Sequence, residues 1–245
     1  EMKQELKDLK AENDALKGTV EDVAVSTDEA IKAQIKLSNR KHWGGYGELH
    51  YNNLEGQGPG VADSKKIDFH RFVLFFGYEF RDDLRFFSEF ELEHALVKDI
   101  GDSGTSENGP GEVELEQAYI QYDYNDTTMI TGGLFLVPVG ILNETHEPDT
   151  FYGVERNTVE KNIIPSTWWE AGVMVTKEMR PGLTLDVALH SGLEATDAKS
   201  YKPRDGRQKV ASAVARSLAG TGRIKYTAVP GLELAASLFM QTDYC

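Results

Sequence analysis

Glutamates at every second position, Glu89, Glu91 and Glu93, form the clearest chemical pattern in this chain. Residues two apart on an extended strand share a face, so these carboxylates line one side of a strand. A row of like charge facing water selects the ions that pass along it. A second charged group, Glu144, His146, Glu147, Asp149, Glu155, Arg156, Glu160 and Lys161, lies in 138–167, where no clean periodicity exists. Segments longer than about 12–15 residues without structure of their own are uncommon unless functional. This one either folds inward and narrows the space beside the strands or lies outside as a loop, and composition leaves both open. Arg71, Arg85, Arg223 and Lys225 stand on the polar parities of their own strands and complete the candidate lining set.

Other constellations carry less chemistry. His190-Ser191-Gly192 lacks the Gly-x-Ser-x-Gly pattern of a nucleophile elbow. No His-Glu-x-x-His zinc motif occurs. Asp82-Asp83 falls in a turn. Asp99, Asp102 and Glu107 do not have the spacing of an EF-hand loop and read as a solvated connection. Cys245 is the one cysteine, so a disulfide within the chain and a cysteine metal cluster are both excluded. The expectation is a protein without catalysis, metal or cofactor.

The elements that position these residues begin with Ile67–Val97. In its second half Leu84, Phe86, Ser88, Phe90, Leu92, His94 and Leu96 share one parity, and Arg85, Phe87, Glu89, Glu91, Glu93 and Ala95 the other. That is a strand with one greasy and one wet face. In its first half the greasy set is His70, Phe72, Leu74, Phe76, Tyr78 and Phe80. Each run far exceeds the usual soluble strand of about 5–6 residues and suits the roughly 9–11 of a strand tilted across a bilayer. Phe72, Leu74, Phe76, Phe86, Phe90 and Leu92 are therefore the candidate membrane-facing residues.

The same alternation recurs from His42 to Asn53, Val113 to Tyr124, Thr128 to Val137, Trp168 to Thr176, and after the paired turns Pro181-Gly182 and Pro230-Gly231. Trp168-Trp169 suits an aromatic girdle at a membrane interface or an ordinary core corner. Short turns at 81–83 and 125–127 alternate with long polar loops at 52–66, 98–111 and 191–209, the asymmetry of outer-membrane barrels. Residues 1–37 differ. Met2, Leu6, Leu9, Asn13, Leu16, Val20 and Val23 step by threes and fours, as the seam of a short coiled coil of two or three chains, which implies self-association, or as the face of a lone amphipathic helix on a globular body.

The chain holds 245 residues with a net charge of -14, which disfavours nucleic acid as a partner. Mean hydropathy is -0.42 and no apolar run is long enough for a membrane helix, as holds for barrels, whose strands alternate. About nine strands are legible. Barrels in lipid must close, so the expectation is an N-terminal fragment of a longer barrel, cut near its middle, with a matured or cut N-terminus. A further strand at 210–218 is the other explanation of the odd count.

Three segments carry a resemblance. Gly133-Leu134-Phe135-Leu136-Val137-Pro138-Val139-Gly140, Phe151-Tyr152-Gly153-Val154-Glu155-Arg156-Asn157, and 163–173, which reads IIPSTWWEAGV, are similar to the phosphate-selective porin O and P family of Gram-negative bacteria. The likeness spans roughly 42–241. It implies a trimeric antiparallel transmembrane β-barrel, sixteen-stranded when complete, with a constriction loop at about 138–167 and a periplasmic N-terminal helix. It also implies passive diffusion of phosphate, other anions or small polar solutes across the outer membrane. Anion-selective members resemble one another in a ladder of lumen arginines and a lysine cluster. Here that wall carries Glu89, Glu91 and Glu93, so a general or cation-tolerant channel is as consistent. Two other classes stay open: a soluble β-sandwich binding carbohydrate through exposed aromatics, and a barrel enzyme with loop-borne His and Asp residues.

Overall fold

The computed structural model describes residues 2–97, 111–150, 152–154, 156–159, 166–194, 202–216 and 218–242. The chain divides into two units, Glu1–His42 and Trp43–Cys245. Residues 98–110 of the polar loop, with Asp99, Asp102 and Glu107, and Glu155, Glu160 and Lys161 lie outside the described residues.

The first unit is one helix, α1 (Met2–Ser38). Lys32–Asp28 at 2.6 Å ties neighbouring turns four residues apart. Its seam residues Met2, Leu6, Leu9, Leu16, Val20 and Val23 are all exposed. No helix among the described residues is long and apolar enough to cross a membrane.

The second unit is an all-antiparallel meander. Its strands are β1 (Lys41–Leu54), β2 (Ser64–Arg81), β3 (Leu84–Glu93), β4 (Val113–Asn125), β5 (Thr128–Leu136), β6 (Trp169–Arg180), β7 (Leu183–His190), β8 (Ala219–Tyr226) and β9 (Leu234–Met240). They form one sheet in chain order, with β1 and β9 as its edges. Tight turns join β2–β3, β4–β5, β6–β7 and β8–β9 at one end, and the long connections leave from the other. Gly182 (φ 74°) and Gly231 (φ 79°) supply the left-handed residues of the two Pro-Gly turns. No strand occurs among the described residues of 202–216, so that alternative for the odd count is not met there.

Burial along the strands is inverted relative to a soluble protein. The inner face of the sheet buries Arg71, Glu89, Glu91, Glu116, Glu170, Asp186 and Arg223. The other face leaves Phe72, Leu74, Phe90, Ile120, Val173, Leu189, Ile224 and Leu238 exposed, between 40% and 63%. Phe76, Phe86 and Leu92 share that outer parity and are half-buried among their neighbours. Soluble proteins bury lysine, glutamate, arginine and aspartate rarely and only when paired.

Two departures from strict alternation re-aim side chains. In β2 the exposed parity passes from Ile67 and Phe69 to Phe72 and Leu74, with His70 and Arg71 both covered. His70 therefore leaves the greasy set assigned to it and turns inward. In β3–β4 the register slips between Glu89↔Gln117 and Phe90↔Leu115. Glu116 is the extra residue of this bulge, and it points inward, fully buried, instead of outward with Ala118. β3 also ends at Glu93 rather than Val97, because His94 and Ala95 (both φ 53°) turn the chain.

Candidate functional site

The residues 137–150 fold onto the inner face of the sheet through consecutive turns. Glu144 accepts hydrogen bonds from Arg223 of β8 at 2.6 Å and Lys225 at 3.1 Å. His146 Nε2 lies 3.1 Å from Glu116 of β4, and Glu147 accepts a hydrogen bond from Tyr46 of β1. Gly140 N donates to Ser237 of β9 at 2.8 Å. Glu144 and Glu147 are at most about 11 Å apart along the chain, whereas β1 and β8 would lie about 34 Å apart in a flat sheet. Side chains stand off a sheet rather than along it. Bridging both strands therefore requires the sheet to curl around this segment.

One asparagine fastens the segment at its root. Asn143 Nδ2 donates to the carbonyls of Val137 (2.8 Å) and Trp168 (2.7 Å), and its Oδ1 accepts from Trp168 N at 2.8 Å. Val137 N also donates to Trp168 O at 2.9 Å. Around this clamp Val137, Trp168 and Leu193 form a small apolar cluster with Val139 and Phe239 packed on it. Trp168 donates from Nε1 to Glu170 at 2.8 Å, and Lys209 sits 5.3 Å over the Trp169 ring. Both tryptophans are buried. Of the girdle and the core corner left open for them, their burial fits the corner, with Trp168 packed on Val137, Leu193 and Phe239.

The expected lining residues are placed as follows. Arg71 pairs with Glu48 and, at 3.4 Å, with Glu91. Arg85 grips Asp123 with two nitrogens at 2.7 and 2.9 Å. Arg223 reaches Asp186 at 2.8 Å and Glu144 at 2.6 Å. Glu89 accepts from Gln117 at 2.6 Å. Glu93, opposite Arg71 in the register, is half-buried. Arg156 donates to the His146 carbonyl at 3.2 Å. A cleft of about 290 Å³ between segment and wall is bounded by Tyr119, Thr131, Glu144, Asp186, Arg223 and Lys225.

Two further arginines meet this face. Arg204 and Arg207 donate to the Ser166 carbonyl at 3.0 and 2.6 Å, and Arg207 also to Thr167 O at 2.7 Å. Burial, with repulsion from Arg204, pushes the Arg207 guanidinium down to about 10. Burial also lowers Arg156, with Arg71 adding repulsion, and Arg204, with Arg156 adding repulsion. In the segment itself, burial pulls His146 down, but its bond and charge contact with Glu116 outweigh this and hold it above its ordinary value. Burial likewise pushes Glu144 up, and Arg223 and Lys225 together carry it below the usual carboxylate range.

Among the described residues, two groups of side chains bring metal-ligating atoms together within 4.8 Å: Glu89, Glu116 and His146, and Asp68, His70 and His94. In the first, His146 Nε2 lies 3.1 Å from Glu116, and Glu89 accepts from the Gln117 amide at 2.6 Å. No nucleophile is assembled by His190-Ser191: His190 Nε2 faces Thr221 at 2.7 Å, and Ser191 donates to Glu170.

A single antiparallel sheet with charge buried on one face and apolar residues bare on the other defines the class as all-β with inverted amphipathy. No family model matches the chain. A protein of Aquifex aeolicus (strain VF5), itself described as uncharacterized, is 40% identical over 200 residues, which is 80% of this chain and 43% of that protein. The chain thus spans less than half the length of this relative.

Proposed function

We propose that Trp43–Cys245 forms part of the wall of an outer-membrane β-barrel, a passive diffusion channel for small hydrophilic solutes, narrowed by the inward segment that begins at Val137. The observation that carries this reading is the burial inversion. Glu89, Glu91, Asp186 and Arg223 are 1–3% exposed on one face, while Phe72, Leu74 and Phe90 are 40–46% exposed on the other. Water is the wrong solvent for the second face and hydrocarbon the right one. The likeness of 133–140, 151–157 and 163–173 to phosphate-selective porins O and P accords with it. The soluble sandwich needs a second sheet over the apolar face, and the described strands make one sheet.

The lining favours no single sign. Arg71, Arg85 and Arg223 are each neutralised by carboxylates, whereas Arg204 and Arg207 donate to backbone carbonyls. The channel is a general one that passes small anions, phosphate included, beside other solutes; it performs no catalysis. The exposed seam of α1 packs against further copies of the chain as a periplasmic coiled coil, giving a homotrimer whose apolar faces meet outer-membrane lipid. Reconstitution in planar bilayers tests this. Discrete conductance steps are expected, with reversal potentials near zero in a salt gradient; inserted trimers that conduct nothing would refute it.

A further inference from the structure

Away from the inward segment, at the end of the sheet that carries the long connections, three imidazoles and a carboxylate from β1, β2 and the end of β3 converge. His94 Nδ1 lies 3.0 and 2.8 Å from the two oxygens of Asp68, and His70 Nδ1 lies 3.3 Å from Oδ2. The ligand atoms of Asp68, His70 and His94 all fall within 4.8 Å of one another. A tetrahedral dication with bonds of about 2.0–2.1 Å holds its ligands about 3.3 Å apart, so these three need only small side-chain rotations to share one ion. His50, buried, stacks on His70 with centroids 4.5 Å apart and rings 9° from parallel, which fixes the His70 ring plane. Its own Nε2 stands 3.6 Å from Glu48.

Two local irregularities build the cluster. The phase change in β2 turns Asp68 and His70 inward. The left-handed His94 (φ 53°) bends the chain out of β3 while its N–H still reaches His70 O at 3.1 Å. A non-glycine residue in that region is uncommon and persists where surrounding contacts hold it.

We propose that Asp68, His70 and His94 bind a first-row transition-metal dication of the Zn2+ class. Two imidazoles with one carboxylate select zinc, copper or nickel over magnesium and calcium, which prefer all-oxygen shells. Three protein ligands leave a position for water. The ion would fasten the start of the 94–112 connection to β2 where strand pairing stops. This stands whether or not the sheet is a channel wall.

The test uses the purified, folded, metal-free protein without a histidine tag. Titration with ZnCl2 is expected to give one saturable site that MgCl2 and CaCl2 do not occupy. His70→Gln and His94→Gln are each expected to weaken it at least tenfold, and His146→Gln to leave it unchanged. Equal zinc affinity in the His70→Gln/His94→Gln double variant, or the absence of saturable binding in the parent protein, would overturn the assignment. Should a variant fail to fold, Cu2+ bound to the parent protein decides. Electron paramagnetic resonance is expected to show coupling to two imidazole nitrogens, and a spectrum without nitrogen coupling overturns the site.

Discussion

Asn143→Ala is the sharpest perturbation of the inward segment. Asn143 is 2% exposed and makes three hydrogen bonds to backbone groups at both roots of the segment. They are not equal. The Val137 carbonyl also accepts from Val139 N at 2.8 Å, and the Trp168 carbonyl from Val137 N at 2.9 Å. Losing the Asn143 amide costs these two about 0.5–1.5 kcal/mol each. Trp168 N–H has no second acceptor among the bonds described, and orphaning a buried donor costs about 1–3 kcal/mol. The sum is about 2–6 kcal/mol, and because 1.4 kcal/mol is tenfold, even the low end raises the released population of the segment more than about twentyfold. Asn143→Asp keeps the acceptor for Trp168 N–H but sets a carboxylate against two carbonyls, so it is expected to be no milder. Limited proteolysis of the membrane-embedded protein, read at 138–167, measures release directly. Cleavage is expected to rise at least tenfold in Asn143→Ala with the strands still protected. Unchanged cleavage, or uniform loss of protection throughout the sheet, would refute the clamp.

The remaining predictions follow from the same contacts. His146 is held above its ordinary value by Glu116, with Glu147 near it and Arg156 on its carbonyl. A raised folded value means that the stabilisation is fully present below about pH 6.5, the unfolded value, and is lost as pH climbs through the folded one. Cleavage within 138–167 should therefore increase from pH 6 to alkaline pH, and His146→Gln should flatten that profile. Glu144→Gln removes the charge shared by Arg223 and Lys225; the reversal potential in a salt gradient should move toward anion preference, and no movement would show that these residues do not line the conducting path. Gly133 sits at φ 132°, and a Cβ there would come 2.4 Å from the Ala118 carbonyl, so Gly133→Val should cut the yield of folded protein sharply, measured by heat-modifiable mobility on gels.

Much of the sheet was legible because period-two alternation survives any tertiary context that keeps one face apolar. The nine antiparallel strands, their short turns and the facing of Phe72, Glu89, Asp186 and Arg223 all follow from it. What alternation cannot see is a change of phase. The β4 bulge hid Glu116, and the slip between Phe69 and Phe72 hid the inward turn of His70. Asn143, Arg204 and Arg207 were missed for another reason: they act from connections, where no periodicity marks a side chain. Adjacent tryptophans at a strand end have no parity of their own either, and Trp168 and Trp169 went to the interior because Glu170, Phe239 and Lys209 were there to receive them.

The claim that most depends on measurement is that the apolar face meets lipid. Spin labels placed singly at 86 to 92, in a background with Cys245 replaced, report it through collision with oxygen, which partitions into bilayers, and with a nickel chelate, which does not. Labels at 86, 88, 90 and 92 are predicted to favour oxygen, with 87, 89 and 91 shielded from it. A protein that stays in aqueous solution, or even-numbered positions more open to the nickel chelate than to oxygen, would contradict it.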